Sequence, residues 1–420
     1  MNINDSEYIK GVLEIAGYTI VDNYENADIA LLNTCAVRKK SEDKAYSFLG
    51  NIKKKNPKIK IGLLGCVAQK DRERAFSKSK YIDFVVGTKS FPFIDKIIEK
   101  AIKKDKKIID LKDHFDHFDY SIVKDSTNYH AWVNIIYGCN KMCTYCIVPF
   151  TRGREKSRPL NNILKELEYK KSKGIKDITF LGQNVDSYGK DLGENANLSL
   201  LVEKTAEMGF RKIWFLTSYP SDFDDGLISV IEKYDNVTKS VHLPVQSGSD
   251  KILKAMRRGY DKEEYLEIIE KIKKTGEITI SSDIIVGFPG ETDEDFEETV
   301  ELLKKIEYFK VNFAIYSPRE GTYAWRYLKD NISREIKVKR INYLIDLQKK
   351  INLKNSEKMF GKIFNIIMES YDKKNGVTYG RTMTNRIVGI KEDLSERIGK
   401  EAKVKITKIT PGPLYGEIVD

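Results

Sequence analysis

Apolar and polar positions alternate between two periods along residues 1–111, and this alternation predicts a layered α/β domain. Ile9, Val12, Leu13 and Ala16 recur at helical spacing. Short continuous apolar runs separated by helical patterns are typical of a parallel sheet covered on both faces. The predicted strands are Ile29–Leu32, Ile59–Leu64 and Tyr81–Val86, and Phe93–Ile102 is a predicted helix.

The first helix of this domain begins almost at the start of the chain. Asn2–Ser6 has the composition of a helix N-terminus, and no strand precedes it. A parallel sheet that lacks its first strand would expose an unpaired apolar edge. We therefore expect that Met1 is an internal methionine and that an upstream strand belongs to the reading frame.

Two cysteines directly follow predicted strands of this domain. Cys35 follows Ile29–Leu32 within Asn-Thr-Cys, and Cys66 follows Ile59–Leu64 within Gly-Cys. Functional groups of parallel sheets collect at the carboxyl ends of the strands. We therefore expect Cys35 and Cys66 to be neighbours in space.

Residues 112–129 carry many charges and no periodic pattern, which predicts a linker. His114 and His117 lie in this segment. A metal site at these two side chains would lack further candidate ligands nearby, so we do not expect one.

Residues 130–330 repeat a strand–helix unit six times. Units of this kind in series predict a barrel or partial barrel whose site forms where the strands end. A doubly wound open sheet is the competing architecture. A long basic amphipathic helix at 333–355 completes this part, which spans residues 130–355. The predicted strands are Ala131–Ile136, Asp177–Leu181, Lys212–Leu216, Ser240–Pro244, Thr279–Val286 and Lys310–Tyr316.

Residues 356–420 have a different character, because short β-like runs are separated by Gly, Asn and Pro. This pattern predicts a small antiparallel barrel with a mildly positive charge. The runs are Ile363–Met368, Ile387–Ile390 and Ala402–Ile409.

Composition narrows the class of protein. The chain has 420 residues, of which 41% are hydrophobic and 32% are charged, which is typical of soluble globular proteins. We see no apolar run of the ~20 residues that a membrane span needs and no secretory signal, so we expect a reducing, cytoplasmic location. A disulfide framework is not expected there, and five cysteines cannot all pair. The net charge of +11 is compatible with a polyanionic partner.

The strongest chemical signal is the run Cys139-x-x-x-Cys143-x-x-Cys146 after the first predicted barrel strand. A structural zinc site normally takes four protein ligands. Three thiolates on a cubane iron–sulfur cluster leave one iron open to bind and reduce a small molecule. Zinc and buried core cysteines remain as alternatives.

This spacing resembles the radical S-adenosylmethionine superfamily, and further motifs are similar to its methylthiotransferase family. They are NTCAVR around Cys35, GCVAQ around Cys66, RGREKSR after the cysteine run, LGQNV at 181–185 and GRTMTNRIV at 380–388. The similarity implies an N-terminal methylthiotransferase domain (1–111), a radical-SAM partial (βα)6 barrel and a C-terminal all-β TRAM domain that binds RNA. The opening and the GRTMTNRIV segment look most like the tRNA-modifying branch, which places a methylthio group on C2 of N6-isopentenyladenosine beside the anticodon.

The resemblance also implies ligands for two [4Fe-4S] clusters. Cys139, Cys143 and Cys146 would hold the cluster that cleaves S-adenosylmethionine to a 5′-deoxyadenosyl radical. Cys35 and Cys66 match two of three ligands of an auxiliary cluster that carries the sulfur, which one S-adenosylmethionine methylates before a second supplies the radical. The third ligand is expected before Met1, and without it we expect a weakly held or absent auxiliary cluster.

Several residues at predicted strand ends are candidates for contacting S-adenosylmethionine, and ordinary turn chemistry is their alternative. They are Gln183, Asn184, Gln246, Asp283, Gly287 and Pro289. Arg152, Arg154 and Arg158 are candidates for binding the cofactor carboxylate or RNA phosphate, with surface solvation as the alternative.

Candidates for RNA contact lie in the C-terminal domain and near the sixth predicted strand. Arg381, Asn385 and Arg386 are the expected RNA contacts of the TRAM-like domain. Tyr316 and Tyr323 have the chemistry to stack on a flipped adenine, although aromatic core packing is the stronger interpretation.

The implied partners are a tRNA anticodon loop and an electron donor such as flavodoxin or ferredoxin, with the protein itself a monomer that contacts no membrane. Other substrates remain open, namely threonylcarbamoyl-adenosine in tRNA or an aspartate of a ribosomal protein. A zinc-bearing RNA-binding protein without catalysis is the distant rival.

Overall fold

The structure is a computed structural model that describes residues 1–104, 106–193 and 196–419. Its N-terminal part is a parallel α/β domain with the sheet order β1-β2-β3-β4, as the sequence predicts. The strands are β1 (Ile29–Thr34), β2 (Lys60–Gly65), β3 (Phe84–Val86) and β4 (Ile108–Asp110). The helices are α1 (Asn2–Ile15), α2 (Lys39–Lys55), α3 (Cys66–Asp71), α4 (Arg74–Lys78) and α5 (Ile94–Lys104).

Burial in this domain follows the apolar pattern. Tyr8, Ile9, Val12 and Leu13 of α1 are buried in one cluster with α5. Strand β2 is buried along nearly its whole length, whereas β1 at the sheet edge is only half-buried. The sheet therefore has a well-covered centre, whereas its two edge strands, β1 and β4, are half-buried.

The segment 112–129 is not a free linker, which corrects the expectation from its composition. Phe118 packs on Tyr8 of α1 with ring centroids 4.8 Å apart, and Val123 is buried in the same cluster. Gly11 lies so close to this segment that a Cβ there would stand 1.9 Å from the carbonyl oxygen of Ile122. The segment is thus the outer wall of the N-terminal core, and its burial depends on α1.

The central part contains a six-stranded parallel array and two short additional strands. The strands are β5 (His130–Asn134), β6 (Ile136–Tyr137), β7 (Lys156–Ser157), β8 (Asp177–Leu181), β9 (Lys212–Phe215), β10 (Ser240–His242), β11 (Thr279–Val286) and β12 (Lys310–Ile315). The helices are α6 (Val148–Arg152), α7 (Leu160–Ser172), α8 (Leu198–Glu207), α9 (Asp225–Lys233), α10 (Asp250–Met256), α11 (Lys262–Lys274), α12 (Asp293–Ile306), α13 (Tyr323–Tyr327) and α14 (Arg334–Glu357).

The strand order identifies a partial barrel and excludes the doubly wound sheet. Strands β5, β8 and β9 pair in parallel, as do β10, β11 and β12. Ile213 of β9 joins the two groups through hydrogen bonds with Asn236 and Thr238, just before β10. Neighbours in space are therefore neighbours in sequence, whereas a doubly wound sheet reverses its order at a switch point.

The C-terminal part is a closed five-stranded barrel with the order β13-β14-β15-β17-β16. Its strands are β13 (Ile363–Asp372), β14 (Val377–Arg381), β15 (Ile387–Ile390), β16 (Glu401–Lys408) and β17 (Leu414–Val419). The prediction of a wholly antiparallel barrel is wrong at one place, because β15 and β17 pair in parallel. This pairing lets the last strand close the barrel.

The two flanking domains lie at opposite ends of the central barrel. The C-terminal barrel contacts strand starts, where Lys239 N donates to Met383 O (2.9 Å) and Thr279 Oγ1 donates to Thr384 O (2.7 Å). The N-terminal domain contacts the other end, where Arg319, after β12, donates from Nη2 to Val37 O (2.6 Å). A membrane-spanning helix is not found among the described residues.

Candidate functional site

The loop with three cysteines follows β6 and is held by backbone contacts on both sides. Gly138 has φ +74°, and a Cβ there would lie 2.0 Å from Arg154 O, so this turn requires glycine. Cys139 N donates to Gly153 O (3.1 Å), and Thr144 N donates to Met256 O at the end of α10 (3.0 Å). The loop is therefore fixed at the mouth of the barrel.

Cys143 of this loop is buried, whereas Cys139 and Cys146 are half-buried. Burial raises the pKa of Cys139 to about 11 and that of Cys146 to about 12, and the neighbouring thiolates raise both further. Cys146 Sγ accepts a hydrogen bond from Val148 N (3.4 Å). Metal binding at such thiols releases their protons.

The donor set of this loop is three thiols. Within residues 1–104, 106–193 and 196–419, no three His, Cys, Asp or Glu side chains surround one metal-ion position. A [4Fe-4S] cluster binds each thiolate through a different iron, and three thiolates leave one iron open. The assignment of Cys139, Cys143 and Cys146 as ligands of such a cluster stays a prediction.

Arg258 completes the surroundings of this loop and was missed from the sequence. It is 4% exposed, donates from Nη1 to Cys143 Sγ (3.3 Å) and from Nη2 to Pro244 O (2.9 Å), and lies over the ring of Tyr219. No carboxylate in the described part of the chain forms an ion pair with it. A buried guanidinium needs an anionic partner, which a thiolate-bound cluster or a cofactor carboxylate provides.

Cys35 and Cys66 lie side by side, as their positions in the sequence predict. Thr34 and Gly65 are paired in the parallel register of β1 and β2, and each cysteine is the next residue. Gly65 has φ +88°, and Cys66 is the first residue of α3. The two thiols therefore share the carboxyl edge of the N-terminal sheet, above the barrel mouth.

Arg152 links this cysteine pair to the barrel. It is 3% exposed, and its Nε donates to Cys66 Sγ (3.3 Å) while Nη2 pairs with Asp5 Oδ2 (2.5 Å). Burial opposes its charge, but Asp5 and Cys66 hold the pKa of Arg152 above its ordinary value. Arg152 is therefore buried and paired, so surface solvation does not describe it.

Arg319 is a second cation beside the cysteine pair, and the sequence analysis did not identify it. Its Nη2 donates to Val37 O (2.6 Å), two residues after Cys35, while its buried Nη1 has no hydrogen-bond partner among the described residues. Burial lowers the pKa of Arg319, and the nearby Glu42 and Cys35 oppose this effect.

Gln183 and Asn184 lie between the barrel mouth and the N-terminal domain. Gln183 Nε2 contacts Met1 Sδ, and its buried Oε1 has no partner in the described residues. Asn184 donates from Nδ2 to Asp222 Oδ2 (2.6 Å), while its Oδ1 is buried and unpartnered. A buried amide oxygen without a partner favours a hydrogen-bond donor, such as an ammonium group, as its ligand.

A line of polar side chains follows the next strands inside the mouth. Asp283 accepts from Asn312 Nδ2 (2.8 Å) and pairs with His242 Nε2 (3.4 Å). Burial alone would raise the pKa of Asp283, but the hydrogen bond and charge of His242 hold it below its ordinary value. Gln246, which has φ +79°, pairs through its backbone with Ile284.

Gly287 and Pro289 lie in the loop after β11 and are packed by the protein itself. Gly287 has φ +71°, and a Cβ there would lie 2.3 Å from Lys337 Cγ. Its N donates to Glu291 Oε2 (2.7 Å), and Pro289 is buried. Their contact with a cofactor stays a prediction.

The remaining candidates divide into packed and exposed side chains. Arg158 pairs with Glu166 (2.7 Å), and Tyr316 is buried against Phe288, so both serve packing. Arg154 and Tyr323 are exposed.

The three predicted RNA contacts of the C-terminal barrel face other parts of the protein. Arg381 donates from Nε to Glu369 Oε2 (2.8 Å) and from Nη1 to Asn385 Oδ1 (3.1 Å). Arg386 lies over the ring of Phe309, 4.9 Å from its centroid. Their role in RNA binding stays a prediction, and it would compete with these contacts.

Comparison with known proteins follows the same division into three parts. The uncharacterized protein family UPF0004 matches residues 1–87, the Radical SAM superfamily matches 133–303, and the TRAM domain matches 357–419. A tRNA-2-methylthio-N(6)-dimethylallyladenosine synthase of Thermosipho melanesiensis is 51% identical over 100% of this chain and 96% of its own length. The chain belongs to the tRNA-2-methylthio-N(6)-dimethylallyladenosine synthase family.

Another synthase of this family, from Thermotoga petrophila, is 49% identical over 100% of this chain and 95% of its own length. Among solved structures, the radical S-adenosylmethionine methyltransferase TsrM from Kitasatospora setae matches with a TM-score of 0.55 and 14% identity. That match covers 73% of this chain and 70% of TsrM, and it supports the fold alone.

Four polar residues at the barrel mouth were missed from the sequence, because each stands alone without a motif. They are Arg258, Arg319, His242 and Asn312. His242 had one usable signal, because it is the last residue of β10, whereas Asn312 lies inside β12.

Proposed function

We propose that this protein is a tRNA methylthiotransferase that places a methylthio group on C2 of N6-isopentenyladenosine beside the anticodon. The observation that supports it most is the pairing of two cysteine sites at one barrel mouth, each with a buried guanidinium on a sulfur. The relatives at about half identity carry the corresponding name over the full length of this chain.

Cys139, Cys143 and Cys146 are the proposed ligands of the first [4Fe-4S] cluster. When bound there, this cluster supplies the electron that cleaves S-adenosylmethionine reductively. Arg258 neutralises negative charge at Cys143, and its burial keeps water away from that side of the loop.

Side chains at the strand ends are proposed to orient the cofactor. The unpartnered amide oxygens of Gln183 and Asn184 accept the hydrogen bonds of its ammonium group, and Asp283 with His242 offers a fixed acceptor deeper in the mouth. Gln246, Gly287 and Pro289 shape the loops around it. Holding the cofactor in one orientation contributes to catalysis because less entropy is lost in the reaction.

Cys35 and Cys66 are proposed to bind an auxiliary [4Fe-4S] cluster that supplies the sulfur. Arg152 and Arg319 place two buried positive charges beside these thiols, which stabilises an anionic group there.

The proposed partners follow from this chemistry. The substrate is tRNA, and the reductive step requires an electron donor, for which flavodoxin or ferredoxin is suitable. We infer that the protein acts as a monomer in the cytoplasm, where its substrate is made.

The proposal is tested by nucleoside analysis of tRNA. Reconstituted protein, S-adenosylmethionine and a reductant are incubated anaerobically with tRNA that carries N6-isopentenyladenosine, and the digest is examined by mass spectrometry. We expect a product heavier by one methylthio group in place of hydrogen. Methylthiolation of threonylcarbamoyl-adenosine tRNA or of a ribosomal protein instead would overturn the substrate, and a colourless protein that binds zinc would overturn the chemistry.

A further inference from the structure

The outward face of the C-terminal barrel carries two tyrosines on either side of a glycine. Tyr379 of β14 is paired with Gly389 of β15, which is paired with Tyr415 of β17. A Cβ on Gly389 would lie 2.8 Å from the ring of Tyr415 and 3.1 Å from the ring of Tyr379. Both rings therefore lean over bare backbone, and both remain half-exposed.

A row of lysines borders this pair of rings. Lys403 and Lys405 of β16 are exposed between the buried Ala402, Val404 and Ile406, and the exposed Lys408 follows a register shift after Ile406. Their register partners on β17 are Val419, Glu417 and Tyr415, respectively. No ion pair within the described residues uses any of the three ammonium groups.

Lys408 is the last lysine of this row and the register partner of Tyr415, so the row of lysines reaches the two tyrosine rings. Aromatic rings that are half-exposed beside unpaired lysines have the composition of a single-stranded nucleic-acid surface, where bases stack and phosphates meet cations. A second copy of this chain is a poor occupant, because the chain carries a net charge of +11 and would be repelled.

We propose that Tyr379, Gly389 and Tyr415 form a platform on which an unpaired nucleotide of the substrate tRNA stacks, with Lys403, Lys405 and Lys408 along its phosphates. This inference rests on the proposed tRNA substrate. It moves the RNA-binding surface of this domain away from Arg381, Asn385 and Arg386, whose contacts are with the protein itself.

The platform binds a part of the tRNA that is remote from the modified nucleotide. The C-terminal barrel contacts the strand starts, whereas the cysteine sites lie at the strand ends. Strand β11 has 8 residues and spans about 26 Å at ~3.3 Å per residue. With the anticodon loop held at the mouth, we expect the nucleotide on the platform to come from outside that loop.

The first test removes the rings. The double variant Tyr379→Ala/Tyr415→Ala is compared with Tyr379→Phe/Tyr415→Phe, using the full chain and unmodified tRNA that carries isopentenyladenosine. We expect the alanine variant to bind this tRNA about 10- to 100-fold more weakly and the phenylalanine variant to stay within about threefold, because stacking needs only the ring. Binding of an isolated anticodon stem-loop should be unchanged in both.

The second test removes the positive charges. It remains informative even if the tyrosine-to-alanine variant does not fold. Lys403→Gln/Lys405→Gln/Lys408→Gln should lower the slope of log affinity against log salt by about 2 to 3, because each phosphate contact contributes about 0.7 to 0.9. The matched control neutralises three exposed lysines on helices of the other two domains, Lys100, Lys254 and Lys274, and should leave the slope closer to that of the wild type.

The outcomes separate this inference from the proposed function. Wild-type affinity for tRNA in the alanine and the lysine variants, with methylthiolation intact, would overturn the platform and leave the function standing. A wild-type protein that binds this tRNA but does not modify it would overturn the function and leave the platform standing. Equal losses for tRNA and for the isolated stem-loop would also overturn the platform, since its ligand would then be the anticodon arm.

Discussion

The two cysteine sites share a local design but differ in how they are assembled. In each, a glycine with positive φ directly precedes a cysteine, Gly138 before Cys139 and Gly65 before Cys66. In each, a buried guanidinium donates to a sulfur at 3.3 Å. The three-cysteine loop is one continuous segment, whereas the pair is brought together by two strands.

This difference in assembly determines which domains supply the contacts that hold each cysteine site in place. The hydrogen bonds of Arg258 at the continuous loop go to carbonyl, phenol and sulfur acceptors of the barrel itself. Arg152 at the pair comes from the barrel, while Asp5 and Cys66 come from the N-terminal domain. The pair is therefore an interdomain site, and its geometry depends on the contact between domains.

The largest expected effect concerns the different functions of the two cysteine sites. Cys143→Ala should reduce cleavage of S-adenosylmethionine at least about 100-fold, because the open-iron cluster loses a ligand. Cys66→Ala should retain cleavage and lose methylthiolation. Quantifying 5′-deoxyadenosine and modified tRNA for each variant checks this. Equal loss of cleavage in both variants would show that the sites do not act separately.

A smaller effect should appear in stability at the interdomain site. Arg152→Gln leaves the buried Asp5 carboxylate without its cation, which should cost about 3 kcal/mol of unfolding free energy. Denaturant unfolding of the apo-protein measures the change. The double variant Asp5→Asn/Arg152→Gln is the control and should recover part of the loss. A cost below about 1 kcal/mol for Arg152→Gln would show that the ion pair is dispensable.

The pH dependence of alkylation should reveal the partial burial of Cys139 in the three-cysteine loop. Burial raises the pKa of Cys139 to about 11, so its thiolate appears only as the pH rises through that value. At pH 9 we expect iodoacetamide to alkylate Cys139 of the apo-protein about 50-fold more slowly than a free thiol of pKa near 9. Mass spectrometry of the Cys139 peptide against N-acetylcysteine gives the ratio. A ratio of alkylation rates near one would mean that the three-cysteine loop of the apo-protein opens to water.

The smallest effect concerns redox tuning by Arg258. Removing a charged hydrogen-bond donor from a ligand sulfur destabilises the reduced, more negative state by about 1.5 kcal/mol. Arg258→Gln should therefore lower the midpoint potential of the first cluster by about 65 mV, whereas Arg258→Lys should lower it less. Redox titration followed by electron paramagnetic resonance measures both. An unchanged potential with the same iron content would assign Arg258 to packing only.

Continuous segments with strong patterns were predictable from the sequence. Strands β8 (Asp177–Leu181) and β11 (Thr279–Val286) have the predicted bounds because their apolar runs end at clear turns. Strands β14 and β17 escaped prediction because a glycine and polar or charged residues interrupt their apolar positions, whereas β15 is apolar apart from Gly389.

Residues whose role depends on distant partners were not predictable in the same way. The cysteines carry their own signal, but Arg152 among three nearby arginines gains its meaning only from Asp5, which is 147 positions away. Segment 112–129 resembles a linker until α1 packs on it. Tertiary contacts of this kind leave no local periodicity for the sequence to show.

The six parallel strands of the central barrel stop short of a ring. Strands β5 and β12 pair with one neighbour each, and not with one another, across the portion of the chain that the structure covers. The free edge of β5 is instead bound by α1 of the N-terminal domain, where Asn4 Nδ2 donates to Trp132 O (2.7 Å) and Asn134 Nδ2 donates to Asn4 Oδ1 (2.6 Å). The first helix of the chain therefore braces the barrel at its open side, and loosening the N-terminal domain would also loosen strand β5.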